Sequence, residues 1–494
     1  MPIPIPVPVP VPDPTHRPIR DNANPKGPTA NPAVVVLTIE SNVRSYNFTM
    51  SRTHPESILP TIATASGGTP SGGISEAALN PTAPTPRWVE SIAQNLVTSL
   101  FQPMSEGHLR IVCPDGSTRE FGAPGQTPSA EIHLRRWRFF TRCAMGGDMG
   151  FGESYQDGDW ETPDLAAVIA WFCANVEQAP SMSGSAQKRL RFTLLNAVNH
   201  LRHFFNRNSL TGSRSNIAAH YDLGNAFYSQ WLDATMTYSA ALFESPDQSL
   251  EAAQTAKYER LAKELRLKAG DHLLEIGSGW GGMASHAVHQ HGVRVTTITL
   301  SEAQATYCRE RFEREGIADR AEVRVIDYRL LTGQFDKIVS IEMMEAIGDQ
   351  YLETYCQSVQ RLLKPNGIFA AQFITYPDSR HAELRRSVDW IQKHIFPGSL
   401  LLSLNRVNQS MQRTGSLHLH SLHDMGLDYG RTLRQWRTRF NQGLHEVRAQ
   451  GFDDHFIRTW NYYLAYCESA FLWRNISVVQ ATWTAPNNRS LMSE

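Results

Sequence analysis

The stretch that decides the fold is Leu274-Glu275-Ile276-Gly277-Ser278-Gly279-Trp280-Gly281-Gly282. In it an apolar strand reaches an acidic residue and then turns through glycines into a predicted helix. Glycines let the backbone approach a ligand closely, and the N-terminus of the helix faces that ligand. The pattern predicts a nucleotide site, with a purely structural turn as the alternative for this segment taken alone.

The cofactor is predicted from the residues around this turn. Gly277, Gly279 and Gly282 fit the spacing Gly-x-Gly-x-x-Gly, so a dinucleotide site has to be weighed first. Glu275 lies two residues before the first glycine, where a carboxylate can serve a cationic ligand. The next predicted strand, 293–301, ends without the acidic residue that would hold the ribose of NAD. S-adenosylmethionine therefore fits these features better than NAD.

Length and composition limit the class of protein. The chain has 494 residues, which suggests about two to four domains. Its 47 Lys and Arg residues balance 48 Asp and Glu residues, so the net charge does not point to nucleic acid. The six cysteines show neither a CxxC nor a Cys/His pattern, which predicts a reducing compartment and no metal site. No apolar run or signal peptide is evident, so we expect a cytoplasmic protein.

Four segments are predicted along the chain. Residues 1–87 hold most of the 28 prolines, which predicts a disordered tail that acts as a tether or as an SH3-type ligand. Residues 88–180 predict a small α+β domain that begins with a helix over 88–101. Residues 181–215 predict a basic amphipathic linker helix, whose basic side is either solvated or meets anionic lipid headgroups.

Residues 216–486 alternate helices with short buried strands, which predicts a doubly wound parallel α/β sheet of Rossmann-like type. Strands are expected at 272–276, 293–300, 322–326, 335–341 and 367–374. Two later strands, near 416–422 and 476–482, would complete a sheet of seven. Ligands of such sheets bind beyond the carboxyl ends of the strands, where the glycine turn lies.

Motifs spread over 215–485 follow one another in a fixed order. They include His220-Tyr221-Asp222-Leu223-Gly224-Asn225, Thr299-Leu300-Ser301-x-x-Gln304, Asp327-Tyr328-Arg329, Val339-Ser340-Ile341-Glu342-Met343-x-Glu345, Tyr429-x-x-Thr432 and Tyr463-Leu464-x-Tyr466-Cys467. In these motifs the chain resembles the cyclopropane-fatty-acyl-phospholipid synthases. A weaker match over 148–160 resembles the smaller N-terminal domain of that family. The resemblance implies a class I methyltransferase fold with S-adenosylmethionine as its cofactor.

The resemblance also implies a reaction, in which a methyl or methylene group passes from S-adenosylmethionine to the double bond of an unsaturated phospholipid acyl chain. Together with the glycine turn, it implies cofactor contacts at Tyr238, Ser239, Glu275, Gly277, Gly279, Gly281, Thr299, Gln304, Asp327 and Tyr328. The implied catalytic positions are Glu345, Tyr429, Gln372 and Cys467. Glu345 could instead begin a helix and Tyr429 could be a core tyrosine. Methyl transfer needs no covalent step on Cys467, so we expect a buried structural thiol there.

Two positions depart from the family pattern. In the family a bicarbonate-like ion, held by Cys, Glu, His and Tyr, removes a proton after methyl transfer. Glu345 and Tyr429 remain here, whereas Ala240 and Gln372 stand at the Cys and His positions. Bicarbonate therefore stays open as a second cofactor, and Glu345, with Glu342 nearby, could act as the base directly. Loss of a neighbouring proton would then give a methylene branch instead of a ring.

Three functions follow from the sequence. The first is a phospholipid acyl-chain methyltransferase, peripheral at the inner membrane face, with the phospholipid surface as its partner and a homodimer as a candidate assembly. The second keeps the cofactor but methylates a small amine or a polyketide. The third is a non-catalytic lipid-binding protein, which the changes at positions 240 and 372 motivate.

Overall fold

The computed structural model describes residues 85–178 and 223–492. These residues belong to one compact unit, Glu76–Glu494. The predicted tail, except for its last three residues, and the predicted linker helix over 181–215 lie outside the described residues. The four proposed segment boundaries stay predictions.

The first described part combines a small sheet with helices. Its strands are β1 (His108–Val112), β2 (Thr118–Gly122), β3 (Ser129–Leu134) and β4 (Trp160–Glu161), which pair in the order β2-β1-β3-β4. Its helices are α1 (Trp88–Phe101), α2 (Arg138–Gln156) and α3 (Leu165–Ala174). Helix α1 has the bounds that the sequence predicts. Asp159, buried at the end of α2, is paired with the guanidinium groups of Arg136 and Arg138, which ties the α2–β4 turn to the start of α2.

The second part contains the predicted sheet. Its strands are β5 (His272–Ile276), β6 (Arg294–Thr299), β7 (Ala321–Val325), β8 (Phe335–Ile341), β9 (Leu363–Thr375), β10 (His418–Asp424) and β11 (Ser477–Thr484). Within the described chain they pair in the order β10-β11-β9-β8-β5-β6-β7. The predicted seven-stranded fold is confirmed. Strands β5 to β9 are parallel, whereas β11 runs antiparallel to both β9 and β10.

Helices surround this sheet. They are α4 (Asn225–Tyr228), α5 (Leu250–Glu264), α6 (Gly282–His291), α7 (Glu302–Arg314), α8 (Leu352–Leu362), α9 (Asp378–Leu384), α10 (Trp390–His394), α11 (Leu404–Thr414), α12 (Gly426–Gln442), α13 (Leu444–Ala449) and α14 (Asp454–Leu472). Several begin at a capping side chain. Ser249, Ser301, Ser403 and Asp453 each accept a backbone N–H of the first turn, which satisfies a donor that the helix itself leaves unpaired.

One aromatic core joins the two parts. Trp390 of α10 is buried, its ring centroid lies 4.6 Å from that of Tyr462 on α14, and its indole N–H donates to Gln156 of α2 at 3.2 Å. A Cβ atom added at Gly152 would lie only 2.6 Å from the Trp390 ring, so α2 approaches the ring closely. The small sheet and the large sheet therefore share a core at Trp390.

Trp390→Ala is expected to lower the free energy of unfolding by about 3–5 kcal/mol, because it removes a large buried side chain. Guanidinium unfolding of the full chain, followed by circular dichroism, measures the change. Trp88→Ala is the control, since Trp88 is 75 % exposed, and its effect should stay within about 0.5 kcal/mol. Equal losses in the two variants would contradict the shared core.

Candidate active site

A cavity of about 520 Å³ lies where the parallel strands end. Residues that follow β5, β6 and β8 line one part of it, among them Gly277, Leu300 and Glu342. Apolar residues of the first part of the chain, including Phe151 and Ile169, line another part. The cavity therefore joins the polar carboxyl edge of the large sheet to an apolar wall.

The cavity brings together all the predicted site residues except Gly281 and Gln372. Those that line it are Tyr238, Ser239, Glu275, Gly277, Gly279, Thr299, Gln304, Asp327, Tyr328, Glu345, Tyr429 and Cys467. Gly281 instead packs against α7, since a Cβ atom there would lie 3.0 Å from the ring of Phe312. Gln372 is fully buried beside Glu342.

The glycine turn needs glycine because of its backbone. Gly277 and Gly279 have φ angles of 99° and 47°, in the left-handed region that side-chain-bearing residues rarely adopt. A Cβ atom at Gly279 would meet no heavy atom within 4 Å, so this part of the turn opens on free space. The backbone can therefore come close to a ligand here.

Glu275 is a buried carboxyl group at the end of β5. Burial raises its pKa to about 8, although Thr297, Arg311 and Lys257 nearby lower it. Among the described residues its Oε2 atom has no hydrogen-bond partner. An enclosed acceptor without a donor, beside a cavity, fits a ligand that carries a cationic group, as S-adenosylmethionine does.

Other polar groups at this end are already paired within the chain. The Lys257 ammonium donates to the Ser239 hydroxyl at 2.7 Å, and burial lowers the pKa of Lys257 to about 7. The Thr299 hydroxyl donates to the side-chain oxygen Oε1 of Gln304 at 2.8 Å. These bonds hold Ser239, Thr299 and Gln304 in fixed orientations at the cavity wall.

Asp327 and Tyr328 follow β7 and form a further part of this wall. Arg329 donates to both carboxylate oxygens of Asp327, at 2.8 Å and 2.6 Å. The ring centroid of Tyr328 lies 5.2 Å from that of Tyr355, in an edge-to-face arrangement. The Asp327 carboxylate is therefore already in a bidentate ion pair with Arg329 where it lines the cavity. Tyr328 contributes an aromatic surface to the same wall.

A pair of glutamates occupies the other end of the polar region. Glu342 Oε1 accepts the Ala240 backbone N–H at 2.8 Å and the Gln372 amide at 2.7 Å, and Glu342 Oε2 accepts the Tyr429 hydroxyl at 2.8 Å. Glu345 Oε1 accepts the Ile374 backbone N–H at 2.5 Å, whereas its Oε2 has no partner among the described residues.

Charge in this pair is divided unequally. Burial and the neighbouring Glu342 raise the pKa of Glu345 to about 8, so Glu345 holds a proton at neutral pH. Burial also raises the pKa of Glu342, but hydrogen bonds from Gln372, Ala240 and Tyr429 and the charge of Lys257 oppose this. Donors favour the charged form of a carboxyl group, so Glu342 carries the negative charge of the pair.

The same contacts test the fit of a bicarbonate ion. The resemblance assigns such an ion to positions 240, 345, 372 and 429. In this structure the groups of Ala240, Gln372 and Tyr429 that could bind it donate to Glu342 instead. The residues therefore do not fit a bicarbonate ion at that place.

Cys467 of α14 also lines the cavity. Burial raises the pKa of its thiol far above neutrality, so the reactive thiolate is not the resting form. The expected structural thiol is compatible with this position. The roles of Cys467, Tyr429 and Glu345 stay predictions.

Glu342 was predicted only as a neighbour of the candidate base Glu345. A usable signal was present, because Glu342 directly follows β8, and side chains that follow parallel strands meet at one edge of the sheet. Glu342 also has a φ angle of 47°, which for a residue other than glycine costs about 1–3 kcal/mol and is typical of functional positions. Lys257 had no such signal, since it lies within an ordinary helix.

Comparison with known proteins identifies a family and two relatives within it. Residues 208–481 match the family model described as mycolic acid cyclopropane synthetase. The chain is 34% identical to the tuberculostearic acid methyltransferase UfaA1 of Mycobacterium tuberculosis, over 84% of this chain and 97% of the relative. It is 35% identical to the cyclopropane-fatty-acyl-phospholipid synthase of Escherichia coli, over 73% of this chain and 89% of the relative.

A solved structure is similar as well. The mycolic acid cyclopropane synthase CmaA1, complexed with SAH and CTAB, superposes with a TM-score of 0.51 at 27% identity. The match covers 55% of this chain and 97% of that one. SAH is the demethylated form of S-adenosylmethionine, the cofactor that the glycine turn predicts here.

The affinity for S-adenosylmethionine is expected to rise as the pH is raised from about 6 to about 7.5, by at most about tenfold per pH unit. Below its pKa of about 8 the free Glu275 carboxyl group holds a proton, and a bound cation favours its charged form, so binding releases a proton. Titration calorimetry in buffers of different ionisation enthalpy measures that proton.

Glu275→Gln is the matched control, because the amide keeps the shape and has no proton to release. It should bind more weakly, with little pH dependence between pH 6 and 7.5. Lys257, whose pKa is about 7, is present in both proteins, so the test is the difference between their two pH profiles, and the wild type should show the steeper one. The same pH dependence in both proteins would show that Glu275 is not the group that titrates.

Proposed function

Because this chain belongs to the mycolic acid cyclopropane synthetase family and is an S-adenosylmethionine-dependent methyltransferase, we propose that it methylates the double bond of an unsaturated phospholipid acyl chain. The bound cofactor supplies an electrophilic methyl group on its sulfonium. The relatives named above act on fatty acyl or mycolic acid chains, as their names state. This chain spans nearly the whole length of the first two.

The observation that supports this substrate class most is the composition of the cavity wall. The first described part of the chain contributes Met149, Phe151, Ile169 and Phe172 to the lining of the cavity. An apolar wall of this kind suits a hydrocarbon chain, whereas a small amine would leave it without contacts. An acceptor with a long apolar chain therefore fits better than the amine alternative.

The polar residues of the cavity then have defined tasks. An alkene is a weak nucleophile, and its attack on a methyl group leaves a carbocation. The negative charge on Glu342 stabilises that positive charge as it develops, in an enclosed site where electrostatic effects are strong. The apolar wall keeps water from the cation, which prevents its capture as an alcohol.

The test is an assay on purified full-length protein with S-adenosylmethionine and phospholipid vesicles. Vesicles of a dioleoyl phospholipid should yield lipid that is heavier by one CH2 group per modified chain, and dipalmitoyl vesicles should yield none. Mass spectrometry of the intact lipid and of its fragments gives the extent of reaction and separates a ring from a methylene branch. Activity on small amines with none on dioleoyl lipid would support the second function instead.

We also propose that the protein binds the cytoplasmic membrane face peripherally through α1. Within the described residues, no helix combines the length and the apolarity needed to cross a bilayer. Trp88, Ile92, Leu96 and Leu100 lie four residues apart on α1, and their side chains are exposed, Ile92 by 59 %. The opposite face of α1 is buried in the core. An exposed apolar stripe of this kind suits the surface of a bilayer, where the substrate is found.

Ile92→Glu should weaken co-sedimentation with anionic phospholipid vesicles severalfold, because a charge then replaces an apolar side chain that enters the bilayer surface. Leu422→Glu is the matched control, since Leu422 is 44 % exposed on β10, and its binding should be unchanged. A homodimer through α1 is the alternative, and sedimentation of the unbound proteins detects it. Loss of a dimer in Ile92→Glu, with vesicle binding intact, would overturn the membrane proposal.

A further inference from the structure

Glu342 is held by donors from separate parts of the chain. Ala240 lies in the segment before α5, Gln372 lies on β9 and Tyr429 lies on α12. Each of them donates a hydrogen bond of 2.7–2.8 Å to the Glu342 carboxylate. Both carboxylate oxygens are engaged, and Glu342 still lines the cavity. The three donors of Ala240, Gln372 and Tyr429 form a binding site for one anion, which we call the anion cradle. The Glu342 carboxylate occupies it.

The orientation of Gln372 shows that the cradle is built for an acceptor. The side-chain oxygen Oε1 of Gln372 accepts the side-chain amide of Gln480 at 3.0 Å, and Gln480 also donates to the Lys257 backbone carbonyl at 3.3 Å. These contacts turn the Gln372 amide nitrogen toward Glu342. The Gln372 nitrogen donates to the Ala240 carbonyl as well, at 3.1 Å, which fixes it further.

We propose that Glu342 is the catalytic base of this enzyme, in place of an anion taken from solution; the proposal rests on the proposed function. Glu345 stands beside it as the protonated partner. The titratable groups around Glu342 are the Lys257 ammonium on α5, the protonated Glu345 carboxyl group that follows β8, and the Tyr429 phenol, which is a neutral donor.

The electrons balance in the proposed step. The π electrons of the alkene form the new carbon–carbon bond to the methyl group, and the pair of the broken carbon–sulfur bond stays on sulfur. The other alkene carbon becomes a carbocation. Glu342 takes a proton from the new methyl carbon, and the freed C–H electrons close a three-membered ring. If a hydride first moves from the methylated carbon to the cation, the same electrons form a methylene branch instead. The acid returns its proton to solvent after product release.

The backbone at position 342 makes one variant informative. Glu342 has a φ angle of 47°, which glycine adopts without strain. Glu342→Gly therefore removes the carboxylate and keeps the backbone, the Ala240 N–H, the Gln372 amide and the Tyr429 hydroxyl. The space that it leaves should accept a small external anion.

Glu342→Gly should lose about 10²–10⁴-fold of the rate on dioleoyl phospholipid in carbon-dioxide-free buffer. Sodium bicarbonate or sodium formate should restore part of that rate in a saturable way, and sodium chloride at equal ionic strength should not. The wild-type protein should keep its rate without bicarbonate. Glu342→Gln is the matched control, because its amide fills the space, and it should stay slow with either anion.

Thermal unfolding gives a readout that does not need activity. Bicarbonate and formate should raise the Tm of Glu342→Gly more than that of the wild type or of Glu342→Gln. Absence of that shift, a Glu342→Gly rate near the wild-type rate, or a wild-type rate that needs bicarbonate would each overturn the assignment of Glu342. A wild type that is inactive on dioleoyl lipid, with the Tm shift present, would instead refute the proposed substrate and leave the anion cradle supported.

Discussion

The carboxyl groups of Glu275, Glu342 and Glu345 line a cavity, and burial raises the pKa of each. Enclosing such groups costs free energy unless they are neutralised or hydrogen-bonded. The structure meets this cost in two ways. Glu345 and Glu275 hold protons at neutral pH, whereas Glu342 receives three donors, and one oxygen of Glu275 has no partner among the described residues. That oxygen leaves a place for positive charge that a sulfonium cofactor brings.

The fold creates this concentration of charge through the direction of its strands. Parallel strands put their carboxyl ends at one edge, so Glu275 at the end of β5 and Glu342 after β8 come close although they are far apart in sequence. The helices that follow β5 and β6 begin after Gly281 and after the capping residue Ser301, so the chain turns away there and leaves the edge open. The first part of the chain then supplies the apolar wall. Polar and apolar halves of the cavity thus come from different parts of the chain.

The fold could be predicted where the signal was local. Strands β5 and β8 are short apolar runs, and the predicted bounds 272–276 and 335–341 agree with the structure. The antiparallel direction of β11 has no local signal, because it depends on where helices α12 to α14 return the chain. Among the site residues, the sequence grouped Glu275, Gln304 and Tyr429 by motif, and the structure places them at one cavity. The pairing of donors with acceptors could not be predicted from the sequence, because the partners of Glu342 lie far apart in the chain, at positions 240, 372 and 429.

The strained backbone of Glu342 explains why its placement depends on the whole domain. A left-handed conformation at a non-glycine residue persists only when the surroundings determine it. Here the backbone N–H of Glu342 donates to the Gln372 carbonyl at 2.7 Å while the Gln372 side chain donates to the Glu342 carboxylate, so both are held by one neighbour on β9. A base fixed in this way needs no binding step, and the entropy of placing it is lost on folding, not in each turnover. A dissolved anion would have to be captured again for every substrate molecule, which is the disadvantage that a built-in carboxylate removes.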